Sequence, residues 1–181
     1  DPVEKIASGG GTRHPSIPLP ADLFGAVRGN SEGLDLQDAM TLEDTASAIA
    51  ARADIGPAPA DSRAEDVRTA IATADAAFDG WSRTPVEIRA AALDRLADLL
   101  EEYRLDLMAL AVHEAGKTIG DALGEVREAA DFCRYYANQA RSAFAPVALP
   151  GPTGESNTLR LEGRGVFACI APWNFPLAIF L

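Results

Sequence analysis

The sequence predicts an α/β protein with an extended N-terminal segment, a helical middle and the first strand of an incomplete sheet. Three observations support this fold class. Glycine and proline are concentrated in residues 1–60, apolar residues recur at helical spacing over 61–145, and 166–171 is a continuous apolar run. Such a run is typical of a parallel strand covered on both faces. We therefore expect its partner strands to come from outside the 181 residues or from another chain.

Residues 1–60 are predicted to form a linker that lies over a larger body. They contain seven of the fifteen glycines and six of the twelve prolines. Three consecutive glycines at 9–11 hold a regular element poorly, and the prolines that follow favour extended backbone. The acidic stretch 32–54 shows little periodicity. The apolar side chains expected to anchor this linker are Leu19, Leu23, Phe24 and Val27.

The first two predicted helices each carry a start signal. Ser62 and Glu65 have the spacing of a capping box, which satisfies two free amides. Thr84, Pro85 and Glu87 predict the second start, with a cap, a proline at the first helical position and an acidic residue at the third. The apolar stripe of the first helix comprises Val67, Ile71, Ala74, Phe78 and Trp81.

The second helix is expected to break near 103–105 and to stop at Gly116, because glycine commonly ends helices. A third helix then starts near Thr118 and runs for about 26 residues. Residues 147–162 follow as a loop and an alternating, half-exposed strand. This strand is a candidate for pairing with another chain.

Composition and charge exclude several classes of function. The chain has 27 acidic and 16 basic residues and a net charge of −11, which disfavours nucleic acids and anionic membranes as partners. Cys133 and Cys169 are too few for a disulfide framework, and His14 and His113 offer no metal spacing, so no metal is expected. The low cysteine count favours a reducing, cytoplasmic location. The sequence also shows no signal-peptide layout and no apolar run of the roughly 20 residues that a transmembrane segment needs. Both ends of the sequence look cut, so we expect a piece of a longer protein.

The end of the buried-type strand is the most informative place for chemistry. Ligands of open α/β folds bind at the carboxyl ends of strands, and here Pro172 and Pro176 bracket Asn174. An amide held in a set direction can stabilise a developing oxyanion by about 3–4 kcal/mol. The alternative is an asparagine selected for a turn, with Trp173 and Phe175 as packing residues. Spacing alone favours that alternative.

Residues 165–177 resemble the first nucleotide-binding strand of the aldehyde dehydrogenase superfamily. Upstream, 114–117, 125–126 and 132–137 match that superfamily's helical region in order and spacing. The resemblance covers about residues 61–181 and implies an NAD-binding, Rossmann-like domain. No Gly-x-Gly-x-x-Gly motif is present, which argues against an ordinary Rossmann fingerprint.

The same resemblance implies roles for individual residues. Asn174 matches the asparagine that stabilises the thiohemiacetal oxyanion. Phe175 matches an aromatic residue beside the aldehyde, and Glu128 matches a glutamate bordering the semialdehyde pocket, although a solvated helix face remains the alternative for Glu128. The positions matching the NAD site are Ile170, Ala171, Pro172 and Trp173. Ala171 stands where the family often has serine, which a backbone role would tolerate.

A second resemblance covers the linker. Residues 10–15, 17–20, 23–25 and 28–31 are similar to the connector of the proline utilization A family, and 151–157 and 173–180 fit the same family. This resemblance implies a bifunctional enzyme that oxidises proline to glutamate. An FAD-dependent proline dehydrogenase domain would lie outside this chain, and peripheral membrane association through the parent enzyme stays open. Glutamate semialdehyde would be the small-molecule substrate here, and 147–162 would be an oligomerisation flap joining subunits of a homo-oligomer.

The superfamily's catalytic cysteine, general-base glutamate and ribose-binding lysine would lie beyond residue 181, so this chain alone is expected to be inactive. Cys169 sits in the apolar run and Cys133 on an apolar helix stripe, so neither is expected to be a nucleophile. Lys117 is interpreted as a structural charge. Two alternatives stay open: a non-catalytic scaffold or dimerisation segment, and a different aldehyde dehydrogenase of the same superfamily.

Overall fold

The computed structural model describes Glu4 and residues 14–181. The predicted glycine run at 9–11 and most of the motif at 10–15 lie outside the described residues. The helices are α1 (Ala39–Ala50), α2 (Ala64–Arg83), α3 (Val86–Glu102), α4 (Arg104–His113) and α5 (Ile119–Ala143). A short 3-10 turn, Pro20–Asp22, precedes them, and strands β1 (Val147–Leu149) and β2 (Asn157–Leu159) follow. None of the helices in this described part is long and apolar enough to cross a membrane.

Helices α3, α4 and α5 form the core, and α1 packs on α4. Small side chains line the contact between α3 and α5, which lets the two helices approach closely. These buried alanines are Ala90, Ala97, Ala122, Ala129, Ala130 and Ala137. Met108 from α4 and Val126 from α5 are among the largest fully buried side chains. The core therefore depends on α5, which touches both α3 and α4.

The structure confirms the predicted limits of the central helices. The break between α3 and α4 falls at Tyr103, whose φ and ψ are −94° and 19°. Gly116 ends the following turn with a φ of +67°, a conformation that glycine adopts without strain. Helix α5 is 25 residues long, and the hydroxyl oxygen of Thr118 accepts a hydrogen bond from the N–H of Asp121 at 3.1 Å.

Two predicted helix starts were wrong by about one residue. Helix α2 begins at Ala64, and its first free amide, Arg63 N–H, donates to the Asp66 carboxylate at 2.8 Å. Thr84 does not cap α3, because its hydroxyl donates to the Gly80 carbonyl at 3.0 Å and closes the end of α2. Only two residues separate α2 from α3, so the threonine is taken up by the preceding helix.

The predicted linker contains more structure than its composition indicated. Helix α1 lies inside the acidic stretch 32–54, where the Asp38 carboxylate caps it by accepting from Thr41 N–H at 2.9 Å. Its buried residues are only Thr45 and Ile49, spaced four apart, which explains the weak periodicity. The proposed apolar anchors were wrong: Leu19, Leu23, Phe24 and Val27 are all exposed. Their turn forms, but the linker is held further along the chain, by Leu34, Leu36 and Ile49 packing on the core and by polar contacts of Ser31.

Helix α2 carries the predicted apolar stripe, but that stripe is largely uncovered. Val67, Ile71 and Trp81 are each about half exposed. The amphipathic pattern therefore predicted the helix correctly without identifying a partner within the described part of the chain.

The C-terminal part of the chain forms a hairpin rather than a sheet. Strands β1 and β2 pair antiparallel, with Val147 opposite Leu159, and every residue of both strands is exposed. The strand predicted at 158–162 is thus shorter and begins one residue earlier. The buried strand predicted at 166–171 does not form here, because the described residues offer no neighbouring strand for its backbone groups. Residues 166–170 are exposed instead, including Ile170 and Cys169, and Ala171 is partly buried.

Candidate functional site

The candidate site is a turn that follows the apolar segment 166–171. Phe175 N–H donates to the Pro172 carbonyl at 3.1 Å, which closes a tight turn with Asn174 as its third residue. Leu181 N–H donates to the Leu177 carbonyl at 3.2 Å and forms one helical turn directly afterwards. Asn174 therefore lies at the junction of the apolar segment 166–171 and a helical turn, and its side chain is exposed.

A buried carboxylate on α5 holds this junction. Glu125 is 3% exposed, and its Oε2 accepts hydrogen bonds from the backbone N–H groups of Leu177 (3.2 Å) and Ala178 (2.8 Å). Its Oε1 accepts from Lys117 Nζ at 2.7 Å. Burial raises the pKa of Glu125, but the donors from Ala178, Lys117 and Leu177 outweigh it, so the pKa lies below its ordinary value. Glu125 is thus ionised at neutral pH.

Lys117 contacts the same junction a second time. Its Nζ lies 5.3 Å from the centre of the Phe175 ring, within the range of a cation–π contact. The interpretation of Lys117 as a structural charge agrees with these contacts, but the sequence did not reveal what the charge holds. Helical periodicity cannot show the pair, because Lys117 precedes α5 and lies eight residues from Glu125.

Glu125 had a signal in the sequence that was missed. It stands three residues after Ala122 and four before Ala129, both fully buried, so it lies on the apolar face of α5. A carboxylate on such a face is costly unless it is paired, and its position therefore predicts a buried partner.

The remaining predicted site residues are only partly brought together. Trp173, Asn174 and Phe175 share the turn, while Ile170 and Ala171 precede it in backbone that is neither helix nor strand. Glu128 is exposed on α5, one turn beyond Glu125. These binding roles stay predictions.

An open apolar cleft of about 420 Å³ lies beside the turn. Trp173, Pro176 and Leu177 line one side of it, and Leu107 and Leu110 of α4 line the other. The cleft therefore adjoins the turn on the α4 side.

The two cysteines differ in environment. Cys133 is buried on α5, and burial raises the pKa of its thiol, which agrees with a packing role. Cys169 is exposed rather than enclosed in a strand. Among the described residues, no three His, Cys, Asp or Glu side chains are grouped as metal ligands.

A second carboxylate of α5 holds the linker. Asp131 accepts from Ser31 N–H at 2.7 Å and from the Ser31 hydroxyl at 2.9 Å. Arg127 Nε donates to the Ser31 hydroxyl oxygen at 3.3 Å. Arg28 Nη1 lies 3.9 Å from Asp131 Oδ1, within the range of an ion pair. We call residues 28–33, Arg127 and Asp131 the linker seat, and residues 172–178 the Asn174 segment.

Comparison with known proteins agrees with this architecture. The model of the aldehyde dehydrogenase family matches residues 45–181, and the chain belongs to that family. The match begins inside α1, and the domain boundary at residue 61 stays a prediction. The incomplete α/β fold predicted from the sequence is confirmed as part of an aldehyde dehydrogenase domain.

More specific relatives include the linker. The chain is 38% identical to "Bifunctional protein PutA" of Klebsiella aerogenes over 98% of its own length and 15% of the relative's. A crystal structure of bifunctional proline utilization A superposes with a TM-score of 0.87 at 49% identity, covering 99% of this chain and 18% of that one. The 1-pyrroline-5-carboxylate dehydrogenase of Anoxybacillus flavithermus is 41% identical over 61% of this chain and 21% of its own length. The chain thus spans less than a fifth of the bifunctional relatives, and the predicted resemblance to them is confirmed.

Proposed function

We propose that this chain is part of a bifunctional enzyme that oxidises proline to glutamate. Its Asn174 segment would serve the NAD-dependent oxidation of glutamate semialdehyde to glutamate. The observation that carries the proposal is coverage: similarity to the bifunctional relatives extends over 98% of the chain and includes the linker. Similarity to a stand-alone 1-pyrroline-5-carboxylate dehydrogenase covers only 61%. This difference favours the bifunctional enzyme over another aldehyde dehydrogenase.

In the proposed reaction, a thiolate from outside residues 1–181 attacks the aldehyde carbon, and the carbonyl oxygen becomes an oxyanion. Asn174 donates a hydrogen bond to that oxyanion from its side-chain amide. The amide is exposed just after the apolar segment 166–171, where a substrate can reach it. Loss of hydride from that carbon converts the adduct to a thioester, and water then hydrolyses the thioester and releases the acid, assisted by a base from outside residues 1–181.

Two further side chains are proposed to contact the substrate. The ring of Phe175 follows Asn174 directly and would flank the aliphatic part of the semialdehyde. Glu128 would border the pocket from α5, where its exposed carboxylate is open to a ligand. Because Glu128 is negatively charged, we expect it to lie near the substrate's ammonium group rather than its carboxylate.

Residues 170–173 are proposed to form one wall of an NAD site. Ile170 and Trp173 are 95% and 82% exposed, and uncovered apolar surface of this kind packs against flat ligand rings. Ala171 and Pro172 lie between them, in backbone that is neither helix nor strand. NAD, when bound, accepts the hydride that leaves the aldehyde carbon. FAD is assigned only to the proline dehydrogenase domain proposed outside this chain.

Two partners belong to the proposal. One is the proline dehydrogenase domain of the same polypeptide, reached through the linker. The other is a second copy of the protein, joined through the flap at 147–162. The exposed hairpin within that flap supports this assignment, because Val147, Leu149 and Leu159 are each about half uncovered. A cytoplasmic location stays a prediction.

The proposal is tested by Asn174→Ala in the full-length gene product, with NADH formation from glutamate semialdehyde as the readout. Loss of one oxyanion donor should lower kcat about 100- to 1,000-fold, while the KM for NAD changes little. The matched control is Asn138→Ala on α5, which removes the same side chain away from the turn and should leave kcat unchanged.

Equal losses of NAD affinity and kcat in Asn174→Ala would contradict the oxyanion role. If the unaltered protein formed NADH from another aldehyde but not from glutamate semialdehyde, the proposed substrate would be wrong. The proposed NAD wall is tested separately by titrating NAD into the unaltered protein and into Trp173→Phe, with tryptophan fluorescence as the readout.

A further inference from the structure

We propose that Glu125 and Lys117 are positioning residues for Asn174, which rests on the oxyanion role proposed above. The pair would not touch the substrate. It would fix the backbone on the C-terminal side of Asn174, so that the amide points at the reacting oxygen before the substrate arrives. Preorganised donors of this kind require no rearrangement during the reaction.

The first support is the match between donors and acceptors at Glu125. Three N–H donors converge on its two oxygens, from Lys117, Leu177 and Ala178. A carboxylate has acceptors only, so it can satisfy all three, whereas an amide in its place would turn an NH₂ group toward a donor. With Glu125 3% exposed and Ala178 1% exposed, solvent has little access to replace a lost contact.

The second support is the short, stiff path from the anchor to Asn174. Only Phe175 and Pro176 separate Asn174 from the first anchored amide, at Leu177. The ring of Pro176 fixes its φ, and the N–H of Phe175 closes the turn onto Pro172. Lys117 contacts the Phe175 ring as well as Glu125. Few backbone torsions remain free, so a shift at Leu177 is passed to Asn174.

The third support is that fold stability alone does not require an ion pair at this place. Burying two charges is costly, and apolar residues of similar size often stabilise a core as well or better. The pair instead fixes geometry, because the Glu125 carboxylate holds two backbone amides and one ammonium group at set distances from α5. A misplacement of about 1 Å at a reacting group can lower a rate about 100-fold, so this geometry has a catalytic consequence.

The test is a double-mutant cycle in the full-length gene product, with Glu125→Gln, Asn174→Ala and both together. Glu125→Gln should lower kcat for glutamate semialdehyde about 10- to 100-fold and leave the KM for NAD nearly unchanged. In the Asn174→Ala background it should cause almost no further loss, because the residue it positions is gone. The conservative variant Glu125→Asp, which keeps the charge, should restore part of the rate.

Asp131→Asn is the matched control, since it neutralises the equivalent carboxylate on the same helix in the linker seat. It should leave kcat unchanged. If Glu125→Gln does not fold, Lys117→Gln replaces it in the cycle, because that change leaves both backbone hydrogen bonds to Glu125 in place. A smaller loss is then expected, again absent when Asn174 is already alanine.

Two results separate failure of this inference from failure of the proposed function. If Asn174→Ala lowers kcat but Glu125→Gln costs the same factor with or without Asn174, the positioning role is wrong and the oxyanion role stands. If Asn174→Ala leaves kcat unchanged, the oxyanion role fails, and the positioning role fails with it.

Discussion

Helix α5 holds two distant segments of the chain by the same device, a carboxylate that accepts backbone N–H groups. In the linker seat, Asp131 accepts from Ser31, and its side chain remains 27% exposed beside Arg28. In the Asn174 segment, Glu125 accepts from Leu177 and Ala178, and its side chain is 2% exposed beside Lys117. These two anchoring carboxylates are six residues apart on the same helix.

The difference between the two anchors lies in solvent and in what each one holds. Water can reach Asp131 and partly replace a hydrogen bond that is lost there. Water has little access to Glu125, so a lost hydrogen bond there is not replaced. The linker seat attaches a connector without proposed chemistry, whereas Glu125 attaches the turn that presents Asn174. The more deeply buried carboxylate, Glu125, thus holds the segment whose position affects the proposed reaction.

The largest expected effect comes from Glu125→Ala. This change leaves the Lys117 ammonium group and two amides unpaired in a buried place, a loss of about 3–5 kcal/mol. Hydrogen–deuterium exchange of the full-length gene product should show at least a hundredfold faster exchange in residues 172–181. Exchange in 28–33 should change little. Equal acceleration of both segments would mean that α5 itself had loosened and that the two anchors are not independent.

Asp131→Ala should give the reverse pattern with a smaller effect. Two hydrogen bonds from Ser31 are lost, but the site is partly open to water, so we expect about 2 kcal/mol. Exchange should accelerate in 28–33 and not in 172–181. If the Asn174 segment loosened instead, the comparison between the two anchors would be broken.

Gly33→Ala sharpens the description of the linker seat. Gly33 has a φ of +72°, and an added Cβ would lie 2.9 Å from Arg127 Nε. The backbone strain and the displaced arginine should together cost about 1–2 kcal/mol. Gly56→Ala is the matched control, because Gly56 has a φ of +71° with nothing within 4 Å. Faster exchange in 28–33 is expected for Gly33→Ala alone, and an equal response to Gly56→Ala would argue against the contact with Arg127.

The sequence predicted what local spacing determines. The third helix, its Thr118 cap and the stop at Gly116 follow from residues within one or two turns of each other. The two anchors could not be predicted in this way, because Ser31 lies 100 residues from Asp131 and Leu177 lies 52 residues from Glu125. The position of Glu125 on the apolar face of α5 predicts that it has a buried partner, but the neighbouring sequence does not identify that partner.

The apolar segment 166–171 shows where prediction from local sequence fails. Its apolar run predicts a strand buried on both faces, but a strand needs neighbours for its backbone groups, and the described residues supply none. Asn174 itself was identified through family resemblance, since spacing alone favoured an ordinary turn. The structure adds the feature that resemblance did not contain, the buried pair behind that turn.

The smallest expected effect is the acid dependence of the Glu125 anchor. Despite the opposing effect of burial, hydrogen bonds from Ala178, Lys117 and Leu177 hold the pKa of Glu125 below its ordinary value of 4.5. The folded state therefore binds this proton less readily than the unfolded state, and the anchor's contribution is complete above the ordinary value. It is lost as the pH falls through the lowered pKa. Protection of 172–181, corrected for intrinsic exchange, should accordingly stay constant near neutrality and fall only in acid.

Other carboxylates must be separated from this effect. Asp38, Asp66 and Glu87 also have lowered pKa values, because they accept hydrogen bonds from Thr41, Arg63 and Arg141 respectively. These groups lie outside 172–181, so their titration should affect that segment in the unaltered protein and in Glu125→Gln alike. The difference between the two proteins therefore isolates Glu125. An unchanged acid response in Glu125→Gln would show that the Asn174 segment is held by packing around Ala178, and that the carboxylate contributes direction without pH-dependent stability.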